Sequence, residues 1–207
     1  MVKYIIFDVG EVLIDGIKGI GQAMTEKYPT ATLDDGHKHH LPSPLQIPMI
    51  REFFAGNVEE EEYLEEVIKT YPWLGAKSDL QKLLRENFTE IEGTRNVVLK
   101  LKRLGYKVGL LSVHGREWIE HCEKKYNFRF HKLFDVVSFS FTDGVLKPDR
   151  EAFIKVMQKF PAKPGECLFI DDSPVNIKAA QELGIKTILF TSAGDLEKEL
   201  HKMLKGY

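Results

Sequence analysis

Carboxylate side chains follow two apolar segments that lie far apart in the chain. Asp8 comes directly after the apolar residues 4–7, and the neighbours Asp171 and Asp172 come directly after the apolar residues 168–170. A single aspartate after a strand is commonly a turn or cap residue. Two adjacent carboxylates, however, repel each other unless a cation or a proton offsets their charge. Taken together, the two acidic positions favour a bound cation.

A hydroxyl and an ammonium group complete the candidate set. Ser112 ends the apolar run 108–111, and Lys147 follows a loop after the apolar run 134–139. Carboxylates of this kind suit a hard cation such as Mg²⁺, which engages substrate phosphate. Asp8 could then attack phosphorus and form an aspartyl-phosphate. Ser112 and Lys147, assisted by backbone N–H groups, would bind the non-transferring oxygens, although each alone could be a strand-end cap or a surface lysine.

The apolar pattern predicts the elements that position these residues. From residue 93 onward, strand-like runs alternate with helical stripes, which is typical of a doubly wound, Rossmann-like α/β fold with a parallel sheet. Right-handed crossovers place the carboxyl ends of all strands at one edge, where open α/β sheets bind ligands. We therefore expect five side chains to meet there, each at a strand tip: Asp8, Ser112, Lys147, Asp171 and Asp172.

A helix start is predicted directly after the acidic pair. Ser173 and Pro174 combine a hydroxyl N-cap with a proline at the first helical position. Apolar residues then recur at helical spacing as far as Gly184, which ends the helix. The acidic pair would therefore lie between a strand end and a helix start.

Residues 17–92 have a different character from the rest of the chain. Their apolar stripes predict amphipathic helices without strands. We therefore expect an α/β core domain formed by residues 1–16 and 93–207, with a helical cap domain inserted at 17–92. The acidic run 59–62 is expected to be the solvated face of a helix start.

Two segments of the insertion are candidate loops. His37, His39 and His40 could bind a transition metal, but no second ligand cluster supports that hypothesis, so a solvated loop is favoured. The proline-rich residues 42–49 are either a loop that faces the site or a free surface loop.

Composition narrows the classes of protein to consider. The chain has 207 residues and a net charge of −2, which gives no basic surface for nucleic acid. No apolar run approaches the ~20 residues of a membrane span, and the N-terminus does not resemble a signal peptide. Two cysteines, Cys122 and Cys167, lack metal or redox spacing. These features predict a protein of the reducing cytoplasm with no membrane or nucleic-acid partner.

The four candidate segments resemble the motifs of the haloacid dehalogenase superfamily, in its phosphatase branch with a helical cap. Residues 4–8 resemble the first motif, 109–112 the second, 147–149 the third and 168–176 the fourth. The resemblance implies a nucleophile at Asp8 and a Mg²⁺ site. The implied ligands are Asp8, the carbonyl of Gly10, Asp172 directly, and Asp171 directly or through water. The implied phosphate-binding residues are Ser112, Val113 and Lys147.

Gly10 departs from the pattern of that superfamily. The usual residue there is a second aspartate, which acts as general acid for the leaving group and is typically worth about 10²–10⁴-fold in rate. A branch similar to sugar-1-phosphate phosphatases also has glycine at this place. Either Glu11 or His114 supplies the proton, or both point to solvent and the leaving group needs little help.

These observations predict a Mg²⁺-dependent phosphatase that acts on a small phosphorylated metabolite, such as a sugar phosphate. Three alternatives stay open. A 2-haloacid dehalogenase needs no metal, but the acidic pair would repel its carboxylate substrate. A phosphomutase would lack the proton shuttle that Gly10 removes. A phosphate-binding protein could have kept the metal site and lost turnover.

Overall fold

The computed structural model describes residues 1–16, 23, 27, 47–204 and 206–207. The histidine cluster at 37–40 and most of the proline-rich segment lie outside the described residues. None of the helices in the described part of the chain has the length and apolar character that a bilayer span requires.

The strands belong to two sheets. They are β1 (Tyr4–Phe7), β2 (Ile14–Asp15), β3 (Thr89–Glu90), β4 (Lys107–Ser112), β5 (Val136–Phe139), β6 (Cys167–Asp171) and β7 (Lys186–Leu189). Five of them form a parallel sheet in the order β5-β4-β1-β6-β7, and β2 pairs with β3 in a two-stranded antiparallel sheet.

Helices connect the strands of the large sheet and also fill the insertion. In the described part of the chain they are α1 (Ile50–Ala55), α2 (Glu60–Thr70), α3 (Lys77–Asn87), α4 (Thr94–Arg103), α5 (Arg116–Tyr126), α6 (Phe130–Leu133), α7 (Ser140–Asp143), α8 (Arg150–Lys159), α9 (Pro174–Glu182) and α10 (Ala193–Met203). Short 3-10 turns lie at Pro72–Leu74 and Pro164–Glu166.

The parallel sheet is covered on both faces, as predicted for a doubly wound fold. Ile6 and Phe169 point to the face that packs on α8 and α9. Their neighbours Ile5 and Leu168 belong to the apolar cluster that includes α4, α5 and α10. Alternate residues of a strand face opposite sides, so both faces must be apolar when helices cover both. The predicted α/β architecture is therefore confirmed.

A short antiparallel ribbon corrects the prediction that residues 17–92 contain no strand. Ile14 pairs with Glu90, and Asp15 pairs with Thr89. Two residues per strand are too few to produce an alternating pattern, so the sequence did not reveal them. The residue after β2, Gly16, has a positive φ of +124°. A side chain there would clash with the chain next to β3, because a Cβ would lie 2.2 Å from the carbonyl oxygen of Asn87. The division of the chain at residues 16 and 93 stays a prediction.

Aromatic side chains of the predicted insertion pack on helix α5. Phe53 of α1 stacks on Tyr63 of α2, with ring centroids 4.7 Å apart, and meets Trp118 of α5 edge-on at 5.4 Å. A Cβ at Gly115 would lie 2.0 Å from Phe53 Cζ. Helix α1 can therefore approach the start of α5 this closely only because residue 115 is a glycine, which has no Cβ.

Glu60 corrects the prediction of a solvated acidic face. The other members of the acidic run are exposed, but Glu60 is 4% exposed. Trp118 Nε1–H donates to its Oε1 at 2.6 Å, and Arg85 Nη2 donates to its Oε2 at 2.6 Å. A buried carboxylate is tolerated when charged and polar donors surround it in this way. Glu60 therefore links two insertion helices to core helix α5.

We expect Gly115→Ala to lower the free energy of unfolding by about 1–3 kcal/mol, because the added methyl group displaces the Phe53 ring. The control is Gly165→Ala, where a Cβ would meet no heavy atom within 4 Å and the change should stay within about 0.5 kcal/mol. Denaturant unfolding of both variants measures the difference. Equal effects would contradict the close contact.

Candidate active site

The register of the central strands brings the acidic residues together. Phe7 pairs with Leu110 of β4 on one side and with Ile170 of β6 on the other. The next residue, Asp8, donates its backbone N–H to the carbonyl of Ile170 at 2.9 Å. Asp8 and Asp171 therefore lie side by side at the carboxyl edge of the sheet, the edge where the sequence predicts the site.

Lys147 joins these two carboxylates. Its ammonium group lies 2.8 Å from Asp8 Oδ1 and 2.7 Å from Asp171 Oδ2, and its side chain is 2% exposed. The prediction that Lys147 is on a strand tip was wrong, because α7 and a loop separate it from the end of β5 and α8 begins only at Arg150. The lysine reaches the sheet edge from that loop.

Asp171 is held by more donors than Asp8. Its Oδ1 accepts the backbone N–H of Ser173 at 2.8 Å, and Asn176 Nδ2 donates to both carboxylate oxygens at 3.0 and 3.1 Å. Ser173 is the N-cap of α9, but its hydroxyl makes no capping hydrogen bond, so that part of the prediction was wrong. The carboxylate of Asp171 instead accepts the backbone N–H of Ser173 and the side-chain amide N–H groups of Asn176.

Asn176 had no predicted role. Its place within the first turn of α9, directly after the acidic pair, is the signal that could have identified it. An amide there can reach back to the strand end and donate to a carboxylate. In the structure Asn176 holds Asp171 in place and also lines the cleft described below.

The buried cluster of two carboxylates and one ammonium has one excess negative charge. Burial raises the pKa of Asp8 to about 8, although Lys147 opposes this rise. Burial acts in the same direction on Asp171, but Lys147, Ser173 and Asn176 together hold the pKa of this carboxyl below its usual value. The pKa of Lys147 is raised because its two carboxylate partners outweigh its burial. Without a bound cation, Asp8 is therefore the carboxyl that takes up a proton to offset this charge, and a bound cation would favour its ionised form.

The donor set fits a divalent cation. Carboxylate oxygens of Asp8, Asp171 and Asp172 lie within 4.8 Å of one another. The oxygens of Asp171 already accept hydrogen bonds from Lys147, Ser173 and Asn176. An open cleft of about 260 Å³ is lined instead by Asp8, Gly10 and the half-buried Asp172. Hard oxygen ligands beside an uncompensated negative charge suit Mg²⁺. Asp8, the Gly10 carbonyl and Asp172 are therefore the best-placed ligands, with Asp171 behind them.

The far side of the cleft is formed by the segment after β4. Val113 and His114 line it, together with Glu11 and Asn176. Ser112 is 0% exposed and does not line the cleft, and its Oγ lies 2.7 Å from His114 Nδ1. The contact between Ser112 and phosphate that the resemblance implies stays a prediction.

His114 does not point to solvent, contrary to one of the alternatives considered above. The residue is 5% exposed. Burial and the nearby Lys147 lower its pKa to about 3, so the imidazole is neutral near pH 7. A neutral imidazole holds no readily released proton, and His114 therefore does not fit the role of general acid. Glu11, which lines the cleft beside Gly10, stays the candidate acid.

The chain matches the family model of the haloacid dehalogenase-like hydrolases over residues 2–184. It belongs to this family. The match covers most of the chain and includes all four motif segments, so the protein is a hydrolase of this family. The resemblance stated from the motifs is thereby confirmed.

Known proteins that resemble this hydrolase include an acyl-CoA dehydrogenase family member 10 from Mus musculus. It is 28% identical over 98% of this chain, which spans only 19% of the mouse protein. A glyceraldehyde 3-phosphate phosphatase from Pyrococcus abyssi is 24% identical over 92% of this chain and 82% of its own length.

A solved structure has the same fold as this hydrolase. It is a haloacid dehalogenase family enzyme from Bacteroides thetaiotaomicron, an Asp12Ala mutant in complex with magnesium and inorganic phosphate. The two proteins superpose with a TM-score of 0.73 at 22% identity, over 93% of this chain and 95% of the other.

We expect Lys147→Met to lower the free energy of unfolding by about 3–5 kcal/mol at neutral pH in EDTA, because it leaves two buried carboxylates unpaired. Without the ammonium, the folded-state pKa of Asp8, which is already raised to about 8, rises further, and that of Asp171 rises above its unfolded value. The penalty therefore decreases as the pH falls from these folded-state values toward the unfolded ones.

Lys159→Met is the matched control, because Lys159 pairs with Asp143 at 2.7 Å but its side chain is 34% exposed. We expect this variant to lose about 0–1 kcal/mol. Denaturant unfolding from pH 4 to 8 compares the two. A Lys147→Met penalty that does not decrease toward acid pH would contradict the charge cluster.

Proposed function

We propose that this hydrolase is a Mg²⁺-dependent phosphatase that hydrolyses a small phosphorylated metabolite, such as a sugar phosphate, with Asp8 as the nucleophile. The observation that supports this proposal most strongly is the pairing of buried Asp8 with Lys147 at the wall of a cleft that Asp172 also lines. The phosphatase among its relatives and the magnesium and phosphate held by the Bacteroides enzyme agree with this chemistry.

The hydrogen bonds of Asp8 assign different tasks to its two oxygens. Oδ1 accepts the backbone N–H of Val9 at 2.6 Å and the ammonium of Lys147 at 2.8 Å. Oδ2 accepts no hydrogen bond from the described residues. Oδ1 therefore fixes the orientation of the carboxylate, and Oδ2 is the oxygen that attacks.

Hydrolysis would proceed in two displacements. Asp8 Oδ2 attacks phosphorus, the bond from phosphorus to the ester oxygen breaks, and the leaving alcohol takes up a proton. Water then attacks the phosphorus of the aspartyl-phosphate, which releases inorganic phosphate and regenerates Asp8. Magnesium, when bound, would offset the repulsion between the carboxylates and the dianionic phosphate.

Lys147 has a donor left for the substrate. An ammonium group has three N–H donors, and Asp8 and Asp171 each take one. The third can donate to a phosphoryl oxygen, whose negative charge Lys147 stabilises as the bonds to phosphorus change. The backbone of Val113, which also lines the cleft, is the further phosphate contact that we propose.

The same charges disfavour the dehalogenase alternative. A 2-haloacid substrate has a carboxylate. The residues that line the cleft already include three carboxylates, those of Asp8, Glu11 and Asp172, and one ammonium group, that of Lys147. Without a metal ion, these groups would repel such a substrate. A phosphate ester bound together with Mg²⁺ meets no such barrier.

The test of this proposal is phosphate release from a panel of monoesters, measured with Mg²⁺, with EDTA and with Asp8→Asn. We expect EDTA to abolish turnover and Asp8→Asn to lower kcat by more than roughly 10³-fold, as losses of nucleophiles do. Asp195→Asn, at an exposed position of helix α10, is the control and should leave kcat unchanged. Turnover that survives EDTA or Asp8→Asn would contradict the proposal.

A second prediction concerns the proton that the leaving group needs. Because Gly10 cannot donate one, we expect Glu11→Gln to slow esters of poor leaving groups by about 10²–10⁴-fold. Esters of good leaving groups, such as nitrophenyl phosphate, should react at the wild-type rate. The measurement is kcat/KM against leaving-group pKa for both proteins. Equal slopes would exclude Glu11 as the acid.

A further inference from the structure

Asp143, the last residue of α7, joins the elements on either side of the loop that carries Lys147. Its carboxylate accepts the hydroxyl of Ser138 from β5 and the ammonium of Lys159 from α8, the latter at 2.7 Å. Its backbone carbonyl accepts the ammonium of Lys155, one turn earlier on α8, at 2.7 Å. These contacts tie β5, α7 and α8 together at the point where the loop begins. The Asp143 cluster consists of Ser138, Asp143, Lys155 and Lys159.

The carboxylate of Asp143 is shielded from water, whereas its partner Lys159 is partly exposed. The side chain of Asp143 is 11% exposed, and Ser138 is buried. Lys159 also donates to the backbone carbonyl of Val137 at 3.1 Å. A shielded carboxylate costs free energy unless donors surround it, so the hydrogen bonds of the cluster define where Asp143 lies relative to β5 and α8.

Helix α7 has a second set of contacts. The residue after α1, Gly56, lies so close to α7 that a Cβ there would be 2.4 Å from the carbonyl oxygen of Phe141. The ring of Phe141 stacks on that of Phe139, with centroids 4.9 Å apart. A helix of four residues is not stable by itself, so α7 keeps its place only through contacts with its neighbours.

The loop that carries Lys147 is short and irregular. It begins at Gly144, which ends α7 with φ +70°, and it extends to Asp149, the N-cap of α8. The ammonium of Lys147 nevertheless lies within hydrogen-bond distance of two buried carboxylates. Lys147 comes only four residues after Asp143, so the place where α7 ends determines whether the lysine reaches them.

We propose that Asp143 is a positioning residue for Lys147. By fixing the end of α7 against β5 and α8, it holds the loop in the path that brings the ammonium group to Asp8 and Asp171. The role of Lys147 toward phosphate rests on the proposed function, whereas the placement of its ammonium group does not. A displacement of about 1 Å at a catalytic group can cost roughly 10²-fold in rate, so the Asp143 cluster contributes to turnover without touching the substrate.

The exchange of the Lys147 ammonium protons with water measures this placement directly. A buried ammonium that donates to carboxylates exchanges slowly and gives a ¹H–¹⁵N signal, which Lys147→Arg identifies by its loss. We expect Asp143→Asn, measured in EDTA, to speed this exchange by about 10–100-fold, because the loop opens more often when hydrogen bonds to a charged group are lost. Exchange at the wild-type rate would show that the burial of Leu146 alone holds the loop and would overturn the inference.

Asp135→Asn is the matched control. Asp135 directly precedes β5, accepts the backbone N–H of Val108 at 2.9 Å and lies 3.6 Å from Lys102 Nζ, with its side chain 28% exposed. It is therefore also an aspartate paired with a lysine, but at the opposite end of β5 from Asp143. This variant should leave the exchange of Lys147 unchanged, because distant sites act independently. Equal acceleration in both variants would indicate general loosening and would overturn the inference.

A milder variant decides the question if Asp143→Asn does not fold. Ser138→Ala removes one hydrogen bond of the Asp143 cluster and keeps all of its charges. We expect it to speed the exchange of Lys147 by about 3–10-fold, as for the loss of one hydrogen bond. Exchange at the wild-type rate in this folded variant would count against the inference in the same way.

Turnover separates this inference from the proposed function. With Mg²⁺, Asp143→Asn should lower kcat/KM for a phosphomonoester by about 10–100-fold, and Asp135→Asn should leave it unchanged. Faster exchange of Lys147 in a protein without any turnover would refute the phosphatase and leave the role of Asp143 intact. Turnover that depends on Asp8, combined with unchanged exchange in Asp143→Asn, would do the reverse.

Discussion

A single buried ammonium group organises the site. Lys147 lies between Asp8 and Asp171, which end adjacent strands of the parallel sheet. Burying a charge costs several kcal/mol unless it is paired, so each of these three groups makes the burial of the others tolerable. With both carboxylates ionised, the cluster still has one excess negative charge. A site that binds a divalent cation together with a phosphate needs this imbalance, because the cation then adds to a charge that is not yet compensated.

The hydrogen bonds around the cluster decide which carboxylate reacts. Asn176 and the backbone of Ser173 donate to Asp171, which is therefore held in its ionised form and kept away from the cleft. Among the residues that the structure describes, Asp8 has fewer donors, and these engage only one of its oxygens. Two carboxylates at the ends of neighbouring strands therefore have different roles, and the difference arises from hydrogen bonds rather than from residue type.

Helices α1 and α2 of the predicted insertion contact the segment that forms one wall of the cleft. Phe53 and Phe54 of α1 rest on Gly115 and His114, directly after the strand that ends in Ser112. Glu60 fastens α2 to the same helix, α5, through Trp118. The cleft wall formed by Val113 and His114 is therefore placed by the insertion as much as by the sheet. A shift of α1 would therefore be transmitted to this wall of the cleft.

The sequence predicts the α/β architecture correctly, because buried parallel strands leave continuous apolar runs and each run here ends at a polar residue. It also predicts that Asp8 and Asp171 lie at one sheet edge, because parallel topology alone brings them there. The pairing of Lys147 with both Asp8 and Asp171, the burial of Glu60 and the hydrogen bond between Ser112 and His114 were not predictable in this way. Each of these features depends either on side-chain partners far away in the chain or on the path of a loop. Neither of these causes leaves a periodic pattern in the sequence. The ribbon of β2 and β3 was too short to leave one.

The claim that the remaining argument depends on most is that Asp8 forms a covalent bond to phosphorus. The most direct measurement is to quench wild-type enzyme with acid during turnover of a radiolabelled phosphate ester and to map the labelled peptide. Our interpretation predicts a label that hydroxylamine removes, on the peptide that contains Asp8, and no label in Asp8→Asn. Turnover without label on that peptide, or label on a different residue, would contradict it.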